Sequence, residues 1–211
     1  MDFAFYVFDD MTALDAIGPM DVVGLLPDAE LKIVGAERGP VRAGKGVRSL
    51  GIVADYTFDE VTDPDVLIVP GGFGTRALVK HEPTLEWIRA VHETTTWTTS
   101  VCTGALLLAA AGVLDGVRAT THWRAMEMLG KLGAEPTSER VVEQGKIITA
   151  AGVSSGIDMG LRLAAKIAGE DTARAIQLMI EYDPEPPFDA GAVEKTTPAI
   201  QALAGELVDA R

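Results

Sequence analysis

Apolar runs of strand length alternate with stretches of helical spacing along the whole chain. That alternation predicts an α/β fold, a mostly parallel sheet with helices on both faces. Phe3 to Phe8 is the first strand-like run, and Asp15 to Leu26 follows with apolar positions spaced for a helix. Gly18-Pro19 should bend that helix or delay its regular part to Pro19 onwards. Leu31 to Ala36 predicts a second strand. Val41 to Phe58 carries Ala43-Gly44-Lys45-Gly46 between short apolar segments and predicts small strands and turns at a sheet edge. Asp65 to Val69 predicts a buried strand ending at Pro70-Gly71-Gly72, a turn whose missing side chains let backbone N–H groups approach a ligand.

Further on, Glu82 to Glu93 predicts a helix and Thr96 to Val101 a β-branched strand. Cys102-Thr103-Gly104 leads directly into Ala105 to Ala111, an alanine- and leucine-rich helix that should stop at Gly112. Val117 to Thr121 predicts a short strand, Trp123 to Leu132 a helix, and Arg140 to Ala150 a hairpin turning at Gln144-Gly145. Ser154 to Ala168 and Asp171 to Glu181 predict helices, and Pro184 to Asp189 a rigid crossing. Thr197 to Ala210 predicts a terminal helix capped by threonine or proline. No internal repeat, linker or low-complexity tract interrupts this order, and 211 residues suffice for one full core. Residues 1–211 are therefore expected to form a single domain.

Charge narrows the function classes. A formal net charge of -13 repels phosphate backbones and anionic lipid heads, and no basic patch in the sequence offsets it. Neither nucleic acid nor membrane is an expected partner. The N-terminus has no basic leader, and no apolar stretch reaches the ~20 residues that span a bilayer, so a cytoplasmic location is expected. The single cysteine excludes an internal disulfide and a cysteine-cluster metal site, and it fits a reducing compartment. No metal or cofactor is expected.

A free cysteine is most often a small buried hydrophobe. Cys102 differs by position, because ligands gather at the carboxyl ends of strands in an open parallel sheet, and it lies where a strand ends and a helix begins. Thr103 and Gly104 supply the first free N–H groups of that helix, and those donors with the helix dipole favour a thiolate. Gly104 leaves room for a sharp nucleophile elbow. Asp15 should open on the same sheet edge; its ordinary reading is a helix N-cap. Thr103 starts the helix and also offers a hydroxyl to orient Asp15 or substrate. Gly71 and Gly72 are expected to present backbone N–H groups to the pocket. His122, beside Trp123 at a helix start, reads as a hydrogen-bonded structural group rather than a catalyst.

The string Thr99-Ser100-Val101-Cys102-Thr103-Gly104-Ala105, continued by Ala119-Thr120-Thr121-His122-Trp123, resembles the ThiJ/PfpI superfamily of class I glutamine amidotransferase-like proteins. Leu14-Asp15-Ala16-Ile17-Gly18-Pro19, Pro70-Gly71-Gly72 and Glu181-Tyr182-Asp183-Pro184-Glu185-Pro186-Pro187-Phe188 look like its isocyanide hydratase branch. The resemblance implies a flavodoxin-like fold, a homodimer, and hydration of an isocyanide to an N-substituted formamide without a cofactor. It also implies that Cys102 is the nucleophile and Asp15 the general acid/base that contacts it. A carboxyl crowded against a thiolate should hold its proton more tightly. Peptidase-like relatives carry histidine after the cysteine, where this chain has Thr103, and amidotransferases use a late histidine, whereas none follows His122 here. Deglycase-like members place a glutamate where the shorter Asp15 stands. Two other readings stay open: a non-catalytic or redox-sensing module like the amidotransferase-like part of AraC-type regulators, and glyoxalase or deglycase chemistry. Against the first, this chain closes on the acidic stretch Gly205 to Ala210 where those regulators continue into a basic DNA-reading part.

Overall fold

Four nearly wholly buried strands form the centre of the computed structural model, which describes residues 1–44 and 50–209. The elements run β1 (Asp2–Tyr6), α1 (Ala13–Val23), β2 (Glu30–Gly35), β3 (Gly39–Ala43), β4 (Leu50–Ala54), β5 (Tyr56–Thr57), β6 (Val66–Val69), α2 (Thr75–Leu78), α3 (Glu82–Thr94) and β7 (Trp97–Val101). They continue with α4 (Gly104–Ala110), β8 (Arg118–Ala119), α5 (Met126–Lys131), β9 (Glu135–Pro136), β10 (Val141–Gln144), β11 (Ile147–Ala150), α6 (Ser155–Ala168), α7 (Glu170–Met179) and α8 (Pro198–Asp209). The main sheet has the order β10-β11-β7-β6-β1-β2-β5 and is parallel except for β10, which runs against β11. Strands β1, β6, β7 and β11 are buried on both faces, which accounts for their uninterrupted apolar and β-branched sequences.

The chain winds outward from β1 in one direction to β2 and in the other from β6 to β7. Right-handed crossovers therefore place α1 and α3 on opposite faces. On one face α1 packs on α6 and α6 on α7; on the other, α4 packs against α2, α3 and α5. The reversal of strand order between β1 and β6 leaves a crevice at their carboxyl ends, where open α/β sheets bind ligands. Asp15, Gly71 and Cys102 follow β1, β6 and β7, three neighbouring strands.

Most expected elements are present within a residue or two. The expected delay of the first helix does not occur: α1 is helical from Ala13 through Gly18 and Pro19. The close approach of α6, whose Gly156 lies against the Pro19 ring, offsets the hydrogen bond that proline removes. The Val117 to Thr121 run shrinks to the two residues of β8, which pairs with β9 outside the main sheet. Neither the short α2 nor the two-residue β9 has enough length to leave a periodic signal. The edge region forms the β3–β4 hairpin and β5, although Lys45 and Gly46 lie outside the described residues. Pro184 to Asp189 holds neither helix nor strand and is exposed, and Ala210 lies beyond the described end of α8. No helix among the described residues is long and apolar enough to cross a membrane.

Gly104 fixes how closely α4 meets the sheet, since a Cβ there would lie 2.1 Å from the Val69 carbonyl oxygen. Neither atom belongs to a flexible side-chain end. Gly104→Ala is expected to destabilise the fold by about 1–3 kcal/mol through overpacking, read as a lower urea midpoint with an unchanged slope.

Candidate active site

Cys102 caps β7 in a left-handed backbone conformation, φ 56°, which a non-glycine residue adopts at a cost and holds only where its surroundings enforce it. Its N–H donates to the Ala150 carbonyl at 3.1 Å, and its own carbonyl accepts the Thr121 hydroxyl at 2.8 Å. These two bonds, one from the neighbouring strand and one from the segment after β8, clamp the strand-to-helix elbow. The thiol is 5% exposed.

Asp15 is not the N-cap of α1; that position is Thr12, and Asp15 is the third helical residue. Its side chain is fully buried, and Oδ2 accepts the Gly71 N–H at 2.9 Å. Oδ1 has no oxygen or nitrogen partner. The carboxyl and the Cys102 thiol instead couple to each other across the crevice. The contact is looser than a formed hydrogen bond.

Burial pushes the Asp15 carboxyl up from 3.8 to about 7, while the Gly71 N–H and the thiol pull it down. Burial, reinforced by the nearby Asp15 charge, also pushes the Cys102 thiol above the ordinary thiol range. The Thr103 N–H and hydroxyl oppose that rise without cancelling it. The sequence-based expectation of a thiolate favoured by the helix terminus alone is thus outweighed by desolvation. The pair titrates as a unit that retains a proton between its members at neutral pH. Thiolate arises by moving that proton to Asp15.

Thr103 is the N-cap of α4, yet its hydroxyl does not cap the helix. It accepts the Gly72 N–H at 2.9 Å and lies 3.2 Å from the Thr75 hydroxyl. Both glycine donors expected to face a ligand are therefore engaged internally, Gly71 on Asp15 and Gly72 on Thr103. Their turn must also stay bare: a Cβ on Gly71 would lie 2.4 Å from the Thr103 nitrogen and 3.0 Å from Asp15 Oδ2. His122 accepts the Arg124 N–H through Nδ1 at 3.3 Å. Burial, then the Arg124 and Arg76 guanidiniums, lower its pKa and keep it neutral. Sequence reasoning missed Thr75 and the clamping role of Thr121, because only folding brings their hydroxyls to the elbow. A cleft of about 190 Å³ lined by Met11, Thr12, Ala13 and Phe73 adjoins the Asp15 and Gly72 segments. Among the described residues no cluster of three histidine, cysteine or acidic side chains is arranged to hold a metal.

The sequence model of the DJ-1/PfpI family matches residues 1–166. An isonitrile hydratase of Pseudomonas putida is 40% identical over 95% of this chain and 86% of its own length. An HTH-type transcriptional regulator of Pseudomonas aeruginosa, CdhR, is 31% identical over 79% of this chain but only 49% of the regulator. A ThiJ/PfpI family protein from Pseudomonas syringae superposes with TM-score 0.93 at 38% identity, covering 99% of this chain and 86% of that one. Drosophila melanogaster DJ-1beta shares the fold at TM-score 0.77 and 19% identity, over 85% of this chain and 97% of its own.

The coupled pair makes two measurable predictions. Alkylation of Cys102 by iodoacetamide should accelerate as pH rises through about 7, where the pair loses its first proton. In Asp15→Asn that inflection should move to higher pH, leaving the buried thiol to titrate alone. The unfolded chain releases the Asp15 proton near 3.8 and the folded chain keeps it to about 7, so stability falls as pH rises through that window. Asp15→Asn should therefore raise the melting temperature at pH 8, by an effect on the order of 4 kcal/mol, and change it little at pH 4.

Proposed function

The chain belongs to the DJ-1/PfpI family, and from that premise we propose that it is a cofactor-independent hydro-lyase that hydrates an isocyanide to an N-substituted formamide. The observation that carries the reading is the buried Asp15 carboxyl coupled to the Cys102 thiol, with a proton to share near neutral pH. An isocyano carbon is nucleophilic toward protons and electrophilic toward thiolate, so its hydration needs both reagents at one atom. The isonitrile hydratase of Pseudomonas putida supports the substrate class.

In the first step the Cys102 sulfur forms a bond to the terminal carbon while Asp15 delivers its proton to that carbon, giving a thioimidate and an Asp15 carboxylate. Asp15 then takes a proton from water as the hydroxide adds to the thioimidate carbon, and returns it to the nitrogen. The tetrahedral adduct collapses as its hydroxyl proton passes to Asp15, the C=O bond forms and the C–S bond breaks. Formamide leaves, and thiolate and carboxylic acid are restored. Thr103 and the Gly71-Gly72 turn hold the pair in place, and the Thr103 N–H beside the thiol stabilises the charge that develops there. The reaction belongs to the cytoplasm in this proposal, where a free thiol persists.

The family resemblance also supports a homodimer. Leu178, Met179 and Phe188 are each more than 70% exposed, and large apolar side chains left in solvent suit burial in a two-fold contact.

The match to CdhR favours a second reading, a sensing module whose thiol is oxidised rather than turned over. Three measurements separate these ideas. Purified protein given an alkyl isocyanide should release the formamide; Cys102→Ala should abolish it and Asp15→Asn should lower kcat by at least ~100-fold. No turnover with several isocyanides, together with stoichiometric oxidation of Cys102 by dilute peroxide, would replace hydration by sensing. Sedimentation equilibrium should give twice the chain mass, with Leu178→Glu shifting it toward monomer.

A further inference from the structure

A positively charged feature beside the elbow takes no part in the steps above. The chain has 31 acidic residues against 18 lysines and arginines, yet the segments flanking Cys102 present guanidiniums. Arg76 follows Thr75 on α2, and the Thr75 hydroxyl lies 3.2 Å from the Thr103 hydroxyl. Arg124 lies three residues after Thr121, whose hydroxyl donates to the Cys102 carbonyl at 2.8 Å. Both arginines are thus tethered to the elbow, through separate segments. His122, half-buried, lies near enough to both guanidiniums for them to disfavour its protonation. The edge of its ring faces Gly152, which follows β11 at the same end of the sheet.

Arg76 is exposed, and its guanidinium lies over the Phe73 ring at 4.4 Å. Among the described residues it has no carboxylate partner, whereas the exposed Arg38, Arg89, Arg118, Arg140, Arg162 and Arg174 each have one. Stacking on Phe73 restrains the planar fork and leaves its donor edge open. In a molecule of net charge -13, an anion meets long-range repulsion everywhere except where local cations reverse it.

Building on the hydratase reading, we infer that the preferred substrate is an isocyanide bearing a carboxylate, recognised by Arg76 while the isocyano carbon meets Cys102. A carboxylate offers the guanidinium a two-point hydrogen-bonded fit that an alkyl group cannot. Phe73, which also lines the adjoining cleft, flanks the short carbon stem between the two groups.

The test compares isocyanoacetate with isocyanoacetamide, an uncharged isocyanide of the same size, in wild type, Arg76→Ala and Arg76→Lys. The ratio of kcat/KM, charged over uncharged, should fall about tenfold in Arg76→Ala, be partly retained in Arg76→Lys, and decline with added salt. A parallel pair of probes needs no turnover: the rate ratio for Cys102 alkylation by iodoacetate over iodoacetamide should also fall, by ~3-fold or more, in Arg76→Ala. Ratios that ignore Arg76 in both pairs overturn the inference and leave the hydratase reading standing if formamide is still made. If neither isocyanide is hydrated, the hydratase reading falls, and the alkylation ratio alone decides whether the site favours anions.

Discussion

The coupling of a buried carboxyl to a buried thiol is the constraint around which the rest of this structure is organised. Neither group is comfortable as an anion where it sits, because desolvation pushes both pKa values up. Together they tolerate one negative charge at neutral pH, and where that charge resides decides whether sulfur is inert or nucleophilic. A lone cysteine at a helix start would answer to the backbone donors alone. Here those donors only moderate a balance set by burial and by Asp15.

Holding such a pair requires rigid surroundings. The left-handed turn at Cys102 is fixed by Ala150 and Thr121, and Asp15 by the Gly71 N–H. Thr103 ties the Gly72 peptide and Thr75 to the same elbow. The glycine turn therefore acts as a spacer and a brace: it brings β6 against both partners and donates its N–H groups to them. It is also why Gly71 cannot carry a side chain, since a Cβ would displace the Thr103 backbone.

Charge is distributed against the overall balance. The molecule is strongly acidic, yet the segments on either side of the thiol carry Arg76 and Arg124 around a neutral His122. In the proposed reaction the chemistry falls to the Cys102–Asp15 pair and Arg76 has a separate task, selection by charge. The two functions draw on different residues, so they are free to vary independently.

The α/β alternation, the strand-to-helix position of Cys102 and the glycine turn were all legible in the sequence, because each depends on local spacing and on residues within a few positions of one another. Helix boundaries followed from the same periodicity, except where packing overruled local chemistry, as at Pro19 inside α1, or where an element was too short to show a period, as in β8 and β9. Family resemblance pointed to Asp15 as the partner acid, but its spacing from Cys102 in sequence said nothing about burial. Only the tertiary structure decided that Asp15 is a fully enclosed carboxyl and not a helix cap, that the Gly71 and Gly72 donors serve the protein itself, and that the thiol is raised instead of depressed. The reason is physical: desolvation and charge coupling depend on what surrounds an atom in space, and the neighbours that matter here come from β1, β6 and β7, which are adjacent in the sheet and far apart along the chain.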